Sequence, residues 1–201
     1  MLSAVVLSGG SGTRMGAEKG LLRLGGRPLV SIVVGTMWSL ADEVVVAVAP
    51  GMSSEYRAIL GSRPSIVEDR ASGIGPLEGL AASFAVARGD IVVTSPCDTP
   101  FLSRELIQLI AGSIGDADMA VPRVGGLLEP LHAAYRRERC LRAFEETMAR
   151  GERKIVTAFS GLAAVMVDEE LLRTVDPELR SFWNLNTRDD LARAERMTEP
   201  G

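Results

Sequence analysis

A glycine-rich loop that carries two cations follows the first apolar run of the chain. This loop, Leu7–Lys19, reads LSGGSGTRMGAEK and combines four glycines with Arg14 and Lys19. Glycine allows positive φ and a close backbone approach, so the loop N–H groups can turn toward an anion. It is not a Walker A loop, because Glu18 precedes the lysine, and not a Rossmann fingerprint, because Met15 occupies the place of the third glycine. The pattern predicts a phosphate site; a plain strand-to-helix connection is the alternative.

An aspartate lies in a stiff turn after another apolar run, Ile91–Thr94. The turn reads SPCDTPF from Ser95 to Phe101, with Asp98 between two prolines. Mg²⁺ prefers carboxylate and phosphate oxygens and needs only one or two protein carboxylates. Asp98 therefore fits a magnesium ligand, while a helix cap or turn-fixing residue is the alternative. Cys97 is expected to pack as a small buried hydrophobe.

A second carboxylate follows the short apolar run Ser65–Val67. Asp69 lies just before a stretch in which Gly73 and Gly75 precede Pro76, a residue suited to the first turn of a helix. Such a helix can turn its N-terminus toward a nucleotide. The carboxylate of Asp69 could accept hydrogen bonds from N1–H and the amine of guanine, or contact the ribose. An ordinary loop and helix start is the alternative.

Two asparagines precede the last helical pattern. Asn184 and Asn186 are two residues apart, so in an extended segment they face the same side while Leu185 anchors the other. Thr187 and Asp190 have the spacing of a helix N-cap with an acidic first turn. The residues alone favour an ordinary helix start with Thr187 as its cap, and a contact between the asparagines and a ligand is the alternative.

The only histidine, His132, lies in the segment Glu129–Tyr135. With no second histidine and only two dispersed cysteines, a zinc site has little support. We expect His132 to be a polar strand residue rather than a substrate contact.

Alternating strand and helix patterns position these residues. The predicted strands are Ala4–Leu7, Val44–Val48, Ser65–Val67, Ile91–Thr94, Met119–Val121, Leu131–Tyr135 and Ala163–Val167. The predicted helices are Pro28–Leu40, Glu55–Leu60, Leu77–Ala87, Arg104–Ala111, Glu138–Arg150 and Thr187–Met197. Continuous apolar strands between helices favour an α/β layered fold with a mostly parallel sheet, in one domain over residues 1–201. The loops with Lys19, Asp69 and Asp98 should share the carboxyl edge of that sheet. Gly125-Gly126 indicates a loop or hairpin over the site.

The composition narrows the class of protein. The formal net charge is −4, which argues against nucleic acid or an anionic membrane as the main partner. No apolar run approaches the roughly 18 residues of a membrane span, and two cysteines suit a reducing compartment. We expect a cytoplasmic protein that holds any anionic ligand locally.

Four motifs in order resemble those of one family. Leu-x-Gly-Gly-x-x-x-Arg-Met-Gly-x-x-Lys, Gly-Pro-Leu-x-Gly, Pro-Cys-Asp-x-Pro and Asn-x-Asn-Thr-x-x-Asp-Leu resemble the motifs of the molybdenum cofactor guanylyltransferases, within the nucleotidyltransferase superfamily. Sugar-nucleotide pyrophosphorylases usually have proline where this chain has Glu18. Some members of the family carry a polar residue after the second strand, where this chain has Ala47.

The resemblance implies a Rossmann-like three-layer α/β/α nucleotidyltransferase fold and a set of site residues. It implies Arg14, Lys19 and Asp98 as catalytic residues, with Asp98 as the Mg²⁺ ligand. The implied nucleotide contacts are Leu7, Ser8, Gly9, Gly10, Lys19, Asp69 and Asp98. The implied contacts to phosphates and acceptor are Asn184 and Asn186.

The reaction implied is transfer of GMP from GTP to the terminal phosphate of molybdopterin, with release of pyrophosphate. A phosphate monoester is mostly dianionic at pH 7, so the acceptor needs no general base, and the sequence offers no convincing one. GTP and molybdopterin are then the substrates, and molybdoenzymes or cofactor-delivery proteins the candidate partners. The alternatives are cytidylyl transfer to the same pterin, guanylyl transfer to adenosylcobinamide phosphate, a sugar-phosphate acceptor, and a nucleotide-binding regulatory protein without turnover.

Overall fold

The apolar runs of the sequence become the strands of one sheet in the computed structural model, which describes residues 1–9, 18–69 and 75–198. Arg14 and Gly10 therefore lie outside the described residues. The strands are β1 (Leu2–Ser8), β2 (Arg23–Leu24), β3 (Arg27–Pro28), β4 (Glu43–Val48), β5 (Ser65–Glu68), β6 (Ile91–Pro96), β7 (Met119–Val124), β8 (Leu127–Leu128), β9 (Ala134–Arg136) and β10 (Ala164–Asp168). β2 and β3 form a separate two-stranded pair.

The large sheet has the order β10-β7-β9-β6-β1-β4-β5, with β8 paired to β7. β6, β1, β4 and β5 are mutually parallel, and β7 is parallel to β10. β9 lies antiparallel between β6 and β7. The expectation of a mostly parallel sheet is confirmed, and the carboxyl ends of β6, β1, β4 and β5 lie side by side.

Helices cover both faces of the sheet. They are α1 (Leu29–Trp38), α2 (Ser53–Leu60), α3 (Pro76–Val86), α4 (Arg104–Gly112), α5 (Arg137–Ala149), α6 (Glu169–Arg173) and α7 (Arg188–Thr198). Short 3-10 helices span Lys19–Leu21, Ile155–Phe159 and Arg180–Phe182. α1, α2, α4 and α6 pack on one face, while α3 and α5 pack on the other. This is a three-layer α/β/α arrangement.

Alternation along each central strand explains the two cores. In β1, Ala4 and Val6 join the core under α1 and α4, whereas Val5 and Leu7 join the core under α3 and α5. Every residue of β4 is buried. A strand that is covered on both faces has a continuous apolar sequence, and β1 and β4 are strands of this kind.

Glycine and proline fix the start of α3, the helix next to the site. Gly75 precedes the helix with φ of 101°, and Pro76 occupies its first turn. Proline has no N–H to lose at this position, and its φ already suits a helix. The expected helix start at Pro76 is confirmed.

One predicted strand is wrong at its beginning. The predicted strand Leu131–Tyr135 begins instead at Ala134, because the preceding residues form a turn in which the N–H of His132 donates to the carbonyl of Glu129 at 3.0 Å. Pro130 lacks an N–H for a sheet ladder, which favours this turn. His132 is therefore not a strand residue. Gly125 and Gly126, with φ of 56° and 81°, form the tight turn between β7 and β8, as expected of a hairpin.

Within residues 1–9, 18–69 and 75–198, no helix has the length and apolar character that crossing a membrane requires.

Candidate active site

A cavity of about 340 Å³ opens at the carboxyl edge of the sheet, where β1, β5 and β6 end. Its wall takes residues from the end of β1, the 3-10 helix at Lys19, the loop after β5, the start of α3, the turn after β6 and the segment before α7. The residues that line it are Leu7, Ser8, Gly9, Lys19, Ala47, Asp69, Gly75, Pro76, Gly79, Pro96, Cys97, Asp98, Leu131 and Asn184. This is the place where ligands bind in open α/β sheets.

Lys19 joins two of the predicted functional segments. Its Nζ donates to Asp98 Oδ2 at 2.8 Å and to Asn186 Oδ1 at 2.6 Å. The side chain of Asp98 is only 10% exposed, and that of Lys19 is 24% exposed. An ammonium group in a partly desolvated position attracts anions more strongly than one in bulk water. The arrangement therefore presents a fixed positive charge, next to a carboxylate, at the wall of the cavity.

The segment before α7 has the alternation that the sequence predicts. Leu185 is fully buried, and its N–H donates to the carbonyl of Asp98 at 2.9 Å. Asn184 lines the cavity and donates from Nδ2 to the carbonyl of Phe182 at 3.2 Å. Asn186 is connected to the site by the hydrogen bond that it accepts from Lys19. The two asparagines thus lie on the side of the segment that meets the cavity and its cation.

Thr187 and Asp190 form a reciprocal cap at the start of α7. The N–H of Asp190 donates to Thr187 Oγ1 at 3.1 Å, and the N–H of Thr187 donates to Asp190 Oδ2 at 2.9 Å. These hydrogen bonds satisfy groups that the first helical turn leaves open. The hydroxyl of Thr187 also donates to Asp190 Oδ2 at 2.8 Å, and this hydrogen bond, followed by those from the N–H groups of Asn186 and Thr187, holds the pKa of Asp190 below its ordinary value. The expected cap is confirmed, and it fixes the end of the asparagine segment.

Asp69 follows β5, which is three strands from β6 in the sheet order, and lies against two glycines. A Cβ on Gly79 would stand 3.2 Å from Asp69 Oδ1, and a Cβ on Gly9 would collide with Oδ2. Oδ1 is buried, and it has no hydrogen-bond partner in the described part of the chain. Burial, followed by the charges of Glu78 and Glu18, raises the pKa of Asp69 to about 6. The carboxylate is thus mostly ionised at pH 7 and has an open acceptor.

The side chain of Ser8 hydrogen-bonds within the protein core. Its Oγ is 2.5 Å from the hydroxyl of Tyr56, a fully buried side chain of α2. A Cβ on Gly20 would strike both hydroxyl groups, so glycine is needed where the chain crosses them. Because the hydroxyl of Ser8 is engaged in the core, the main chain is what Ser8 can offer a ligand. No local sequence pattern indicates the role of Tyr56.

Most of the predicted site residues meet at this cavity. Those that line it are Leu7, Ser8, Gly9, Lys19, Asp69, Asp98 and Asn184. Cys97 is buried as expected, and burial raises the pKa of its thiol to about 12, so the thiol stays protonated. The β7–β8 hairpin does not contribute to the wall formed by the described residues. Sequence reasoning missed Leu131, because an apolar residue in an apolar run predicts a core position.

Comparison with known proteins decides the family. Residues 4–164 match the model of the MobA-like NTP transferase domain. The chain belongs to this family. As a MobA-like NTP transferase it is 34% identical over 202 residues to the molybdenum cofactor guanylyltransferase of Desulfosudis oleivorans, an alignment that covers 100% of this chain and 97% of the relative. The resemblance to the molybdenum cofactor guanylyltransferases is thereby confirmed.

Solved structures agree on the fold. The molybdopterin-guanine dinucleotide biosynthesis protein A of Archaeoglobus fulgidus superposes with a TM-score of 0.83 at 29% identity, over 97% of each chain. The 2-C-methyl-D-erythritol 4-phosphate cytidylyltransferase of Thermus thermophilus superposes with a TM-score of 0.73 at 19% identity, over 98% of each chain. The second likeness concerns the fold alone. The same fold therefore also occurs in an enzyme whose name specifies cytidylyl transfer.

Proposed function

We propose that this chain transfers GMP from GTP to the terminal phosphate of molybdopterin, forming the guanine dinucleotide cofactor and pyrophosphate. The observation that carries the proposal is the contact of Lys19 with both Asp98 and Asn186 beside a cavity that Asp69 also lines. A cation suited to phosphates and an acceptor suited to a base would then share one pocket. The named relatives supply the identity of the acceptor substrate.

The base fits the end of the cavity that contains Asp69. Guanine presents two adjacent donors, N1–H and its amine, whereas adenine and cytosine each present one donor beside an acceptor. A carboxylate with a free buried oxygen matches the two donors of guanine. Ala47 also lines this cavity and offers no polar side chain, so Asp69 carries the polar recognition that the described residues provide here.

The triphosphate fits the end of the cavity that contains Lys19. The ammonium group of Lys19 borders the cavity and suits phosphate oxygens. The main chain at Gly9 also borders the cavity, beside Asp69, and its N–H suits a phosphate that lies between Asp69 and Lys19. Arg14 and Gly10, which lie outside the described residues, stay predicted members of the same phosphate site. Together these groups would hold the two polyanionic substrates at the distance that reaction requires.

The donor set also fits Mg²⁺. Asp98 offers a nearly buried carboxylate, and the amide oxygen of Asn186 accepts a hydrogen bond from the same Lys19 ammonium group that binds Asp98. Mg²⁺ is usually bound by one or two carboxylates, with phosphates and waters as its other ligands. Asp98 would hold the ion, which when bound neutralises phosphate charge. Lys19 would then orient Asp98 and share the phosphate charge.

The chemistry proposed is an in-line displacement at the α-phosphorus of GTP. An oxygen of the acceptor phosphate forms a bond to that phosphorus, and the bond from the phosphorus to the β-phosphate oxygen breaks. The acceptor is already a dianion at pH 7, so no side chain has to remove a proton. Lys19 stabilises the negative charge that grows on the leaving pyrophosphate, while Asn184 and Asn186 position the acceptor. Molybdoenzymes or delivery proteins in the cytoplasm are the expected recipients of the product.

The direct test is pyrophosphate release measured with GTP, CTP, ATP and UTP, each with molybdopterin or with adenosylcobinamide phosphate, at several Mg²⁺ concentrations. Release with GTP and molybdopterin alone is the expected result. Preference for CTP, or for the corrin acceptor, would replace the named substrate. Nucleotide binding without release with any acceptor would favour the regulatory alternative.

A further inference from the structure

The only histidine of the chain is buried beside the cavity without being part of its wall. The side chain of His132 is 1% exposed. Among the residues that the structure describes, neither Nδ1 nor Nε2 has a hydrogen-bond partner. Burial lowers the pKa of His132 to about 3, so the ring is neutral at pH 7. The Ser181 backbone acts in the opposite direction on this pKa, as a hydrogen-bond acceptor would, but its contact with the ring does not meet hydrogen-bond geometry. An uncharged ring with two unpaired nitrogens in a core position requires an explanation.

Two neighbours define the surroundings of the ring. The ring of Phe182 meets it edge to face, with centroids 5.0 Å apart and an interplanar angle of 60°. Glu129 Oε2 lies 4.0 Å from Nδ1, which is just beyond hydrogen-bond range. Glu129 is itself half-buried, and burial raises the pKa of its carboxyl group. A small movement of this turn would therefore give Nδ1 a partner.

Two neighbours of His132 connect its ring to the cavity wall. On one side, Leu131 precedes His132 and lines the cavity. On the other, the carbonyl of Phe182 accepts the hydrogen bond from Asn184, which also lines the cavity. His132 is thus connected to two parts of the cavity wall, by the peptide bond to Leu131 and by its ring contact with Phe182.

We propose that His132 is a positioning residue for the acceptor side of the cavity, setting Asn184 through Phe182 and gaining a hydrogen bond to Glu129 when ligands fill the cavity. This rests on the proposed function, in which Asn184 contacts the acceptor. A phenylalanine could pack in the same place without unpaired nitrogens. Packing alone therefore does not account for the imidazole, whereas a hydrogen bond made in the liganded state does.

The kinetic test compares His132→Phe with His132→Asn. Phenylalanine keeps a ring against Phe182 but has no nitrogen, whereas asparagine keeps a polar group near the position of Nδ1. We expect His132→Phe to raise the KM for molybdopterin at least fivefold, with the KM for GTP and kcat changed less than twofold and with no loss of thermal stability. We expect His132→Asn to restore most of the acceptor affinity. A KM for molybdopterin within twofold of wild type in His132→Phe, or an equal rise in both KM values, would overturn the assignment.

A second readout does not need turnover. Because the chain contains a single histidine, ¹⁵N-labelling of histidine gives ring signals that belong to His132 alone. Saturating GTP, Mg²⁺ and molybdopterin should shift the Nδ1 signal as a hydrogen bond forms, and Glu129→Leu should abolish that shift while Glu129→Gln keeps most of it. Ring signals that are unchanged at saturation would refute the proposed bond. Absence of wild-type turnover with molybdopterin would overturn the proposed acceptor. The ring signals recorded with GTP, Mg²⁺ and the acceptor that does support turnover would then decide the role of His132.

Discussion

Lowering the pH from 7 to 5 should destabilise the folded chain through the imidazole of His132. The ordinary pKa of the group is 6.5, and burial lowers it to about 3 in the folded state. Below pH 6.5 the unfolded chain binds a proton that the folded chain does not bind until the pH nears 3. The stability that this group contributes is therefore fully present above 6.5 and is lost as the pH falls.

The size of the effect follows from the two pKa values. Each pH unit between them is worth about 1.36 kcal/mol, so roughly 2 kcal/mol is lost at pH 5 and roughly 5 kcal/mol by pH 3. The ring is fully buried, so solvent screening does not reduce the figure appreciably. A loss of 2 kcal/mol is a sizeable part of the 5 to 15 kcal/mol that is typical of a folded domain.

The assay is urea unfolding of the wild type and His132→Phe at pH 7 and pH 5. The wild type should lose about 2 kcal/mol more than the variant between the two pH values. Asp69 acts in the opposite direction, because its raised pKa makes the folded state bind a proton first below pH 6. This contribution is common to both proteins and cancels in the comparison.

The pH comparison also needs a control for the carboxyl group that lies near the His132 ring. Glu129 is the nearest carboxyl group, and its raised pKa gives it the same sign as Asp69. Repeating the comparison in Glu129→Gln removes its titration. An equal pH dependence in the wild type and His132→Phe would refute the reasoning, as would an NMR titration in which the ring protonates above pH 5.

Three further predictions concern the cavity. Lys19→Met should lower kcat by about 100-fold because a preorganised cation is lost, while circular dichroism shows that the fold is retained. Lys19→Arg should recover part of the rate, and Arg104→Ala, a control at an exposed position, should have the wild-type rate. Asp98→Asn should raise the Mg²⁺ concentration needed for half-maximal pyrophosphate release, and an unchanged metal titration would move the metal site elsewhere. GTP affinity measured by calorimetry should fall about tenfold between pH 7 and pH 5 as Asp69 protonates. The Asp69→Asn variant should bind GTP more weakly at pH 7, and its affinity should depend less on pH. Equal pH dependence in the wild type and the variant would argue against a contact between Asp69 and the base.

The sheet and the gathering of site residues at its edge were predictable because both follow from local patterns. Apolar runs such as Val44–Val48 become strands, and loops after parallel strands meet at one edge. Thr187 and Asp190 were predictable because a capping box involves residues only three apart. Motif spacing therefore led to Lys19, Asp69, Asp98 and the asparagines.

Features that depend on distant parts of the chain were not predictable. Tyr56 lies 48 residues from Ser8, and no local pattern indicates that their hydroxyl groups meet. The turn at His132 replaced an expected strand because Pro130 interrupted the ladder, and the burial of the ring depends on Phe182, 50 positions later in the sequence. The short helix α6, with five residues, is too brief for a helical period to be visible.

The contact between Lys19 and Asn186 has a consequence for the order of folding. It joins residues 167 positions apart, whereas β1 and β4 meet after a much shorter stretch of chain. Closing a longer loop costs more entropy, so the central strands can pair before the asparagine segment docks on them. A partly folded chain would then have its sheet but lack the completed catalytic centre. Catalytic competence should therefore appear after sheet formation during refolding, and the docked segment should be among the first parts to open in hydrogen exchange.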